Sequence, residues 1–221
     1  MVKRKNQYRC VIFDDVLVNT DIIVISSLID LADSYDVRME LDEAIKLFSG
    51  KGIYESLLII QSKCKQTFPQ NIWNKFSSQV HQEFMKDAVA VEGAENLLNT
   101  LPLSFCVISN ISREETVNIF HLTGLIRFFN KDNIFSHYDA GSQNWSPAIF
   151  HFAAKKMGFT TSECIVIGEC YAGIQAAVAG GLKVYGLSNG FNNNTLESYG
   201  AVVFESLYDL PKLLLAELAG A

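Results

Sequence analysis

The sequence predicts an α/β fold, a doubly wound parallel sheet with a group of helices inserted after its first strand. Three observations lead there. Short runs rich in β-branched and aromatic residues recur along the chain, and they are apolar throughout instead of alternating, as strands covered by helices on both faces are. Helical stretches with clear start and stop residues separate these runs. After the first run the rhythm breaks, and as far as Ala88 only helical periodicity is found.

The expected strands are 9–13 (RCVIF), 104–109 (SFCVIS), 133–136 (NIFS), 164–168 (CIVIG), 183–187 (KVYGL) and 201–204 (AVVF). Ser146 and Pro147 supply an N-cap and a proline at the first helical position, opening a helix that runs to Met157 and stops at Gly158. An Ala-rich helix over 171–179 stops at Gly180-Gly181, and 207–218 carries apolar residues at helical spacing. Strands alternating with helices make a Rossmann-like sheet, which binds ligands at the carboxyl ends of its strands. In the interrupted interval, 21–35, 41–48, 54–66 and 72–86 show helical periodicity, broken at Gly50, Gly52 and Pro69. The expected organisation is a core of 1–18 and 88–221, with a four-helix cap of 19–87 over the strand ends.

Composition narrows the function. The 221 residues are 49% hydrophobic and 19% charged, enough for one core and a smaller satellite. Lys+Arg 18 against Asp+Glu 24 leaves a net charge of −6, and no basic block follows Lys3-Arg4-Lys5. A negative field argues against nucleic acid or an anionic membrane as partner. The apolar run after the basic start is too short for a signal peptide, so a cytoplasmic location is expected. Cys10, Cys64, Cys106, Cys164 and Cys170 show no CxxC spacing, and those in expected strands read as buried hydrophobes. His81, His121, His137 and His151 lack HxxxH or HExxH spacing and read as surface or packing residues.

Chemistry-bearing residues gather at the expected strand ends: Asp14-Asp15, Ser109-Asn110, the loop 142–146, and Glu169-Cys170. Each alone is ordinary turn or N-cap chemistry. Together, carboxylates and a hydroxyl at four strand ends point to a metal and a phosphate.

These segments resemble the haloacid dehalogenase superfamily. VIFDDVLVNT (11–20) is similar to its first motif, FDxDGVLVDS, and VISN (107–110) to its second. FSHYDAGSQNWSPAIFHFAAKKMG (135–158) parallels the third, built round KPDPxxF, and IVIGECYAGIQAAVAGGL (165–182) the fourth. AVEGAENLL (90–98) and FSGKGIYESL (48–57) extend the likeness over nearly the whole chain, nearest to the β-phosphoglucomutase and 6-phosphogluconate phosphatase branch. The resemblance implies a nucleophilic Asp14 that forms an aspartyl-phosphate and an acid two residues later. It further implies a phosphoryl clamp from Ser109 and Asn110, a lysine that offsets charge, and Mg²⁺ held by Asp14 and Glu169. Lys51, between two glycines, resembles the family's substrate-specificity loop, and it reads equally well as an exposed lysine between two turn glycines.

The sequence departs from that pattern at three motifs. The first is two residues short: Val16 stands where the acid belongs, with Asp15 adjacent to Asp14. Neighbouring side chains on an extended strand point to opposite faces, so both carboxylates meet one phosphate only if the backbone turns sharply. In the third, Asn144 replaces the lysine. In the fourth, Glu169 and Cys170 replace Asp and Ser.

Two main expectations follow. One is an eroded relative, catalytically impaired or inactive, kept as a binding or regulatory module or as a drifted remnant, with a small phosphorylated metabolite as its candidate partner. The other is a working Mg²⁺-dependent phosphomonoester hydrolase using Asp14, with Asp15 as substitute acid. A weaker third is a thiol hydrolase at Cys170, whose helix N-terminus would lower its pKa. Size and resemblance imply a monomer or weak dimer.

Overall fold

The structure is a computed structural model describing residues 8–48, 51–141, 145–188 and 193–220. The chain divides into two compact units, residues 1–18 with 90–221, and residues 19–89.

The first unit is the α/β body. Its strands are β1 (Cys10–Asp14), β2 (Ser104–Ser109), β3 (Ile134–Ser136), β4 (Cys164–Gly168), β5 (Lys183–Leu187) and β6 (Val202–Phe204). They lie in the order β3-β2-β1-β4-β5-β6, and every pairing is parallel. All five residues of β1 and all five of β4 are buried, which is why their sequences do not alternate. On one face Cys10, Ile12, Cys106, Ile108, Cys164 and Val166 join a single core cluster. On the other, Phe13 meets Phe105 edge-on at 6.1 Å, and Phe105 meets Phe129 at 5.4 Å. The three strand cysteines are free thiols at 0% exposure.

The second unit is helical: α1 (Thr20–Asp33), α2 (Leu41–Phe48), α3 (Ile53–Lys63) and α4 (Ile72–Asp87). Ile23, Leu28, Phe48, Leu57, Ile60, Phe76 and Val80 are buried, and burying one such side chain stabilises by about 1.5–3 kcal/mol. At its neck the two chain crossings lie side by side. Asn19 N–H donates to Val89 O at 3.1 Å, and Val89 N–H returns a bond to Asn19 Oδ1 at 2.8 Å. In the α/β body, Val18 bridges Ala90 antiparallel, and Val91 N–H donates to Leu17 O at 2.9 Å.

The body's helices are α5 (Ala94–Thr100), α6 (Arg113–Leu122), α7 (Pro147–Lys156), α8 (Tyr171–Ala179), α9 (Asn193–Ser198) and α10 (Leu210–Gly220). A capping box starts α6: Ser112 Oγ accepts from Glu115 N–H at 3.2 Å, and Glu115 Oε2 accepts from Ser112 N–H at 2.9 Å. Ser146 holds the N-cap position of α7, but its hydroxyl makes no capping bond.

Two helix ends correct the sequence expectation. The helix expected from 207 begins at Leu210, because 206–209 close as a turn with Asp209 N–H on Ser206 O at 3.0 Å. The helix expected to reach 66 ends at Lys63, because the Gln61 amide closes the following loop. Its Nε2 donates to Gln66 O at 2.9 Å and its Oε1 accepts from Phe68 N–H at 2.5 Å. No helix among the described residues is long and apolar enough to cross a membrane.

Candidate active site

The carboxyl ends of β1, β2 and β4 come together because the register forces them to. Asp14, the last residue of β1, lies opposite Ile108 of β2 and Gly168 of β4. Its side chain continues the Cys10–Ile12 face and is fully buried, with neither carboxylate oxygen hydrogen-bonded. Space for it exists because two neighbours lack a Cβ. One placed on Gly168 would come within 3.1 Å of Asp14 Oδ2, and one on Gly173 within 1.9 Å. Burial, then the charges of Asp15 and Glu169, raise the Asp14 carboxyl well above its ordinary value near 3.8.

Asp15 is where the shortened motif is resolved. Its φ is 49°, in the left-handed region that non-glycine residues seldom adopt. This is the sharp turn that two adjacent carboxylates require, and it brings Asp15 Oδ2 to the Asn110 N–H at 3.4 Å. Val16, two residues after Asp14, is buried at 0% exposure and supplies no acid.

Ser109 closes β2 at 4% exposure, and its Oγ accepts from the Ile111 N–H at 3.4 Å. Asn110 is exposed. The loop that carries them is pinned from β3, where Ser136 Oγ donates to Ile111 O at 2.8 Å. Asp139 Oδ2 accepts from Ser136 N–H at 2.8 Å and pairs with Arg113 at the same distance. Sequence reasoning did not single out Gly173, Ser136 or Arg113. Gly173 was visible as a glycine inside an Ala-rich helix; nothing in the sequence marked the other two.

Glu169 follows β4, half-buried, close enough for its charge to act on Asp14. Cys170 is half-buried at the N-cap of α8. Its thiol is pushed up, first by burial and then by the Asp14 charge, against bonds from the Gly173 and Ala172 amides. The helix terminus is expected to lower this thiol's pKa, whereas burial and the neighbouring carboxylate charges act in the opposite direction. Lys51 is half-buried before α3 in the helical unit. Asn144 lies outside the described residues. His137 is buried and packs edge-on against Trp145, with ring centroids 3.9 Å apart.

The donors suit a hard divalent cation. Asp14 presents two bare buried oxygens, and two further carboxylates add negative charge. No three His, Cys, Asp or Glu side chains among the described residues form a metal-holding group. Mg²⁺ is commonly held by one or two carboxylates and keeps several waters.

The chain is 24% identical to the 6-phosphogluconate phosphatase of Escherichia coli over 201 residues, 90% of each protein. Among solved structures, it matches a haloacid dehalogenase-like protein of unknown function from Agrobacterium tumefaciens with a TM-score of 0.88. The identity is 24%, covering 95% of this chain and 98% of that one. A haloacid dehalogenase family hydrolase from Deinococcus radiodurans, with bound phosphate and sodium, matches at a TM-score of 0.81 and 22% identity over 97% of both chains. The sequence profile of the haloacid dehalogenase-like hydrolases matches residues 11–187, most of the chain, and the chain belongs to that family.

Proposed function

We propose that the chain binds a small phosphorylated metabolite at Asp14, Ser109 and Asn110 and is impaired as a phosphomonoester hydrolase. The observation that carries this reading is Val16, an apolar residue at 0% exposure two positions after the buried Asp14. Asp14 supplies the nucleophile: a carboxylate oxygen attacks phosphorus and the bond to the leaving oxygen breaks, giving an aspartyl-phosphate and an alkoxide that takes its proton from water. The Ser109 hydroxyl and the Asn110 N–H donate to phosphoryl oxygens. The group that should protonate the leaving oxygen and then activate water is missing, a loss worth about 10²–10⁴-fold in rate. Asp14 and Glu169 would hold Mg²⁺, which when bound supplies positive charge to acidic side chains and a phosphoryl group. The net charge of −6 agrees with a partner that is neither nucleic acid nor membrane, and we place the protein in the cytoplasm as a monomer or weak dimer.

A second reading, an active Mg²⁺-dependent hydrolase, is favoured by one observation. The left-handed turn at Asp15 keeps a second carboxylate at the end of β2, where it could take over the acid's role. Phosphate release from 6-phosphogluconate, other sugar phosphates and a chromogenic phosphomonoester, with and without Mg²⁺, separates the two readings. The first expects turnover roughly 10²–10⁴-fold below that of the Escherichia coli 6-phosphogluconate phosphatase assayed beside it, or none above an Asp14→Asn control. Mg²⁺-dependent turnover comparable to that enzyme's and abolished in the control would overturn it and establish the second.

A further inference from the structure

We infer that the Asp15 carboxylate is an internal ligand of the anion position at the end of β2, held where a phosphoryl oxygen would otherwise bind, and so sets how well the site accepts phosphate. The inference rests on the proposed site. The Asn110 N–H lies just past the last residue of β2, and it points to Asp15 Oδ2 at 3.4 Å. A main-chain donor released at a strand end is the kind of group that collects anions. The anion collected is a side chain from the neighbouring strand's loop, and the backbone adopts a φ of 49° at a non-glycine residue to deliver it. The turn also brings that carboxylate close to the ionisable Asp14, an arrangement that a compensating donor makes tenable. The second, independent sign of a ligand position is Asp14 itself, whose two fully buried oxygens bond to nothing among the described residues.

An incoming phosphate must therefore displace Asp15 from the Asn110 N–H and then lie beside a further carboxylate. Both effects weaken its binding. The shortened loop thus installs a competitor as well as removing an acid.

Titration calorimetry with inorganic phosphate in the presence of Mg²⁺ tests this in the wild type, Asp15→Asn and Asp15→Gly. Asparagine and glycine both tolerate the left-handed backbone, so neither change strains the turn. Removing the charged competitor is expected to tighten phosphate binding about tenfold or more in both variants. A Ser109→Ala change added to Asp15→Gly should reverse the gain, and the Asn110 amide resonance should move in Asp15→Asn without phosphate. Wild-type binding as tight as that of both variants would overturn the inference while leaving the phosphate site standing. Absence of phosphate binding in all the chains, each folded by circular dichroism, would overturn the inference and the site together.

Discussion

In the helical unit, Ser27 and Ser56 are buried at 3% and 1% exposure, and each donates to the carbonyl four residues back, at 2.9 and 3.1 Å. In the α/β body, Asp14 is buried at 0% with both oxygens unpartnered and two acidic neighbours raising its pKa. One unit satisfies its buried polar groups within a single turn of helix. The other keeps a costly unsatisfied carboxylate at the end of its central strand. The difference marks where stability is set by packing alone and where it yields to a site.

The largest expected effect tests the packing side. Phe76 is 1% exposed in α4, and Phe76→Ala should cost about 3–5 kcal/mol in denaturant unfolding. Amide exchange should accelerate in α1 to α4 while β1 and β4 stay protected. Equal acceleration in the strands would show that the two units unfold as one block.

The site side is probed next by Gly173→Ala. A Cβ there would lie 1.9 Å from Asp14 Oδ2, and the overpacking should cost about 1–3 kcal/mol. In an Asp14→Ala background the same change should become neutral or favourable, since alanine suits a helix better than glycine by about 1 kcal/mol. A double-mutant cycle without that reversal would mean that the contact with Asp14 is not what requires the glycine.

The smallest effect has a pH signature. The folded state favours neutral Asp14, whereas the unfolded chain ionises it above its ordinary value near 3.8. Wild-type stability should therefore fall as pH rises from that value through the raised folded pKa. Asp14→Asn escapes the loss. Its melting temperature should exceed wild type at pH 7.5 by several degrees, at about 2–4 °C per kcal/mol for a chain this size, and the gain should vanish near pH 4. A gain independent of pH would place its source outside the carboxylate.

The sheet was legible because buried parallel strands carry uninterrupted apolar runs; β2, β4 and β5 begin and end where the runs do. The helix after α9 was placed too early, since Leu207 is buried like a helical residue yet belongs to a turn. At the site, the residues at the ends of β1, β2 and β4 could be named in advance, because a parallel sheet fixes where they emerge. The conformation of Asp15 could not. A left-handed aspartate has no sequence signature beyond its small polar side chain, and the donor that holds it belongs to a residue far along the chain.

The neck at Asn19 and Val89 has a consequence for how such a chain can change. An insertion whose ends drift apart burdens its host with the entropy of closing a long loop. In this chain the helical unit brings its own two ends together through one backbone bond and one bond to the Asn19 side chain, so the α/β body experiences a long excursion as though it were a tight turn. The insert can therefore be lengthened, shortened or exchanged over evolutionary time without disturbing the register between β1 and its two neighbours.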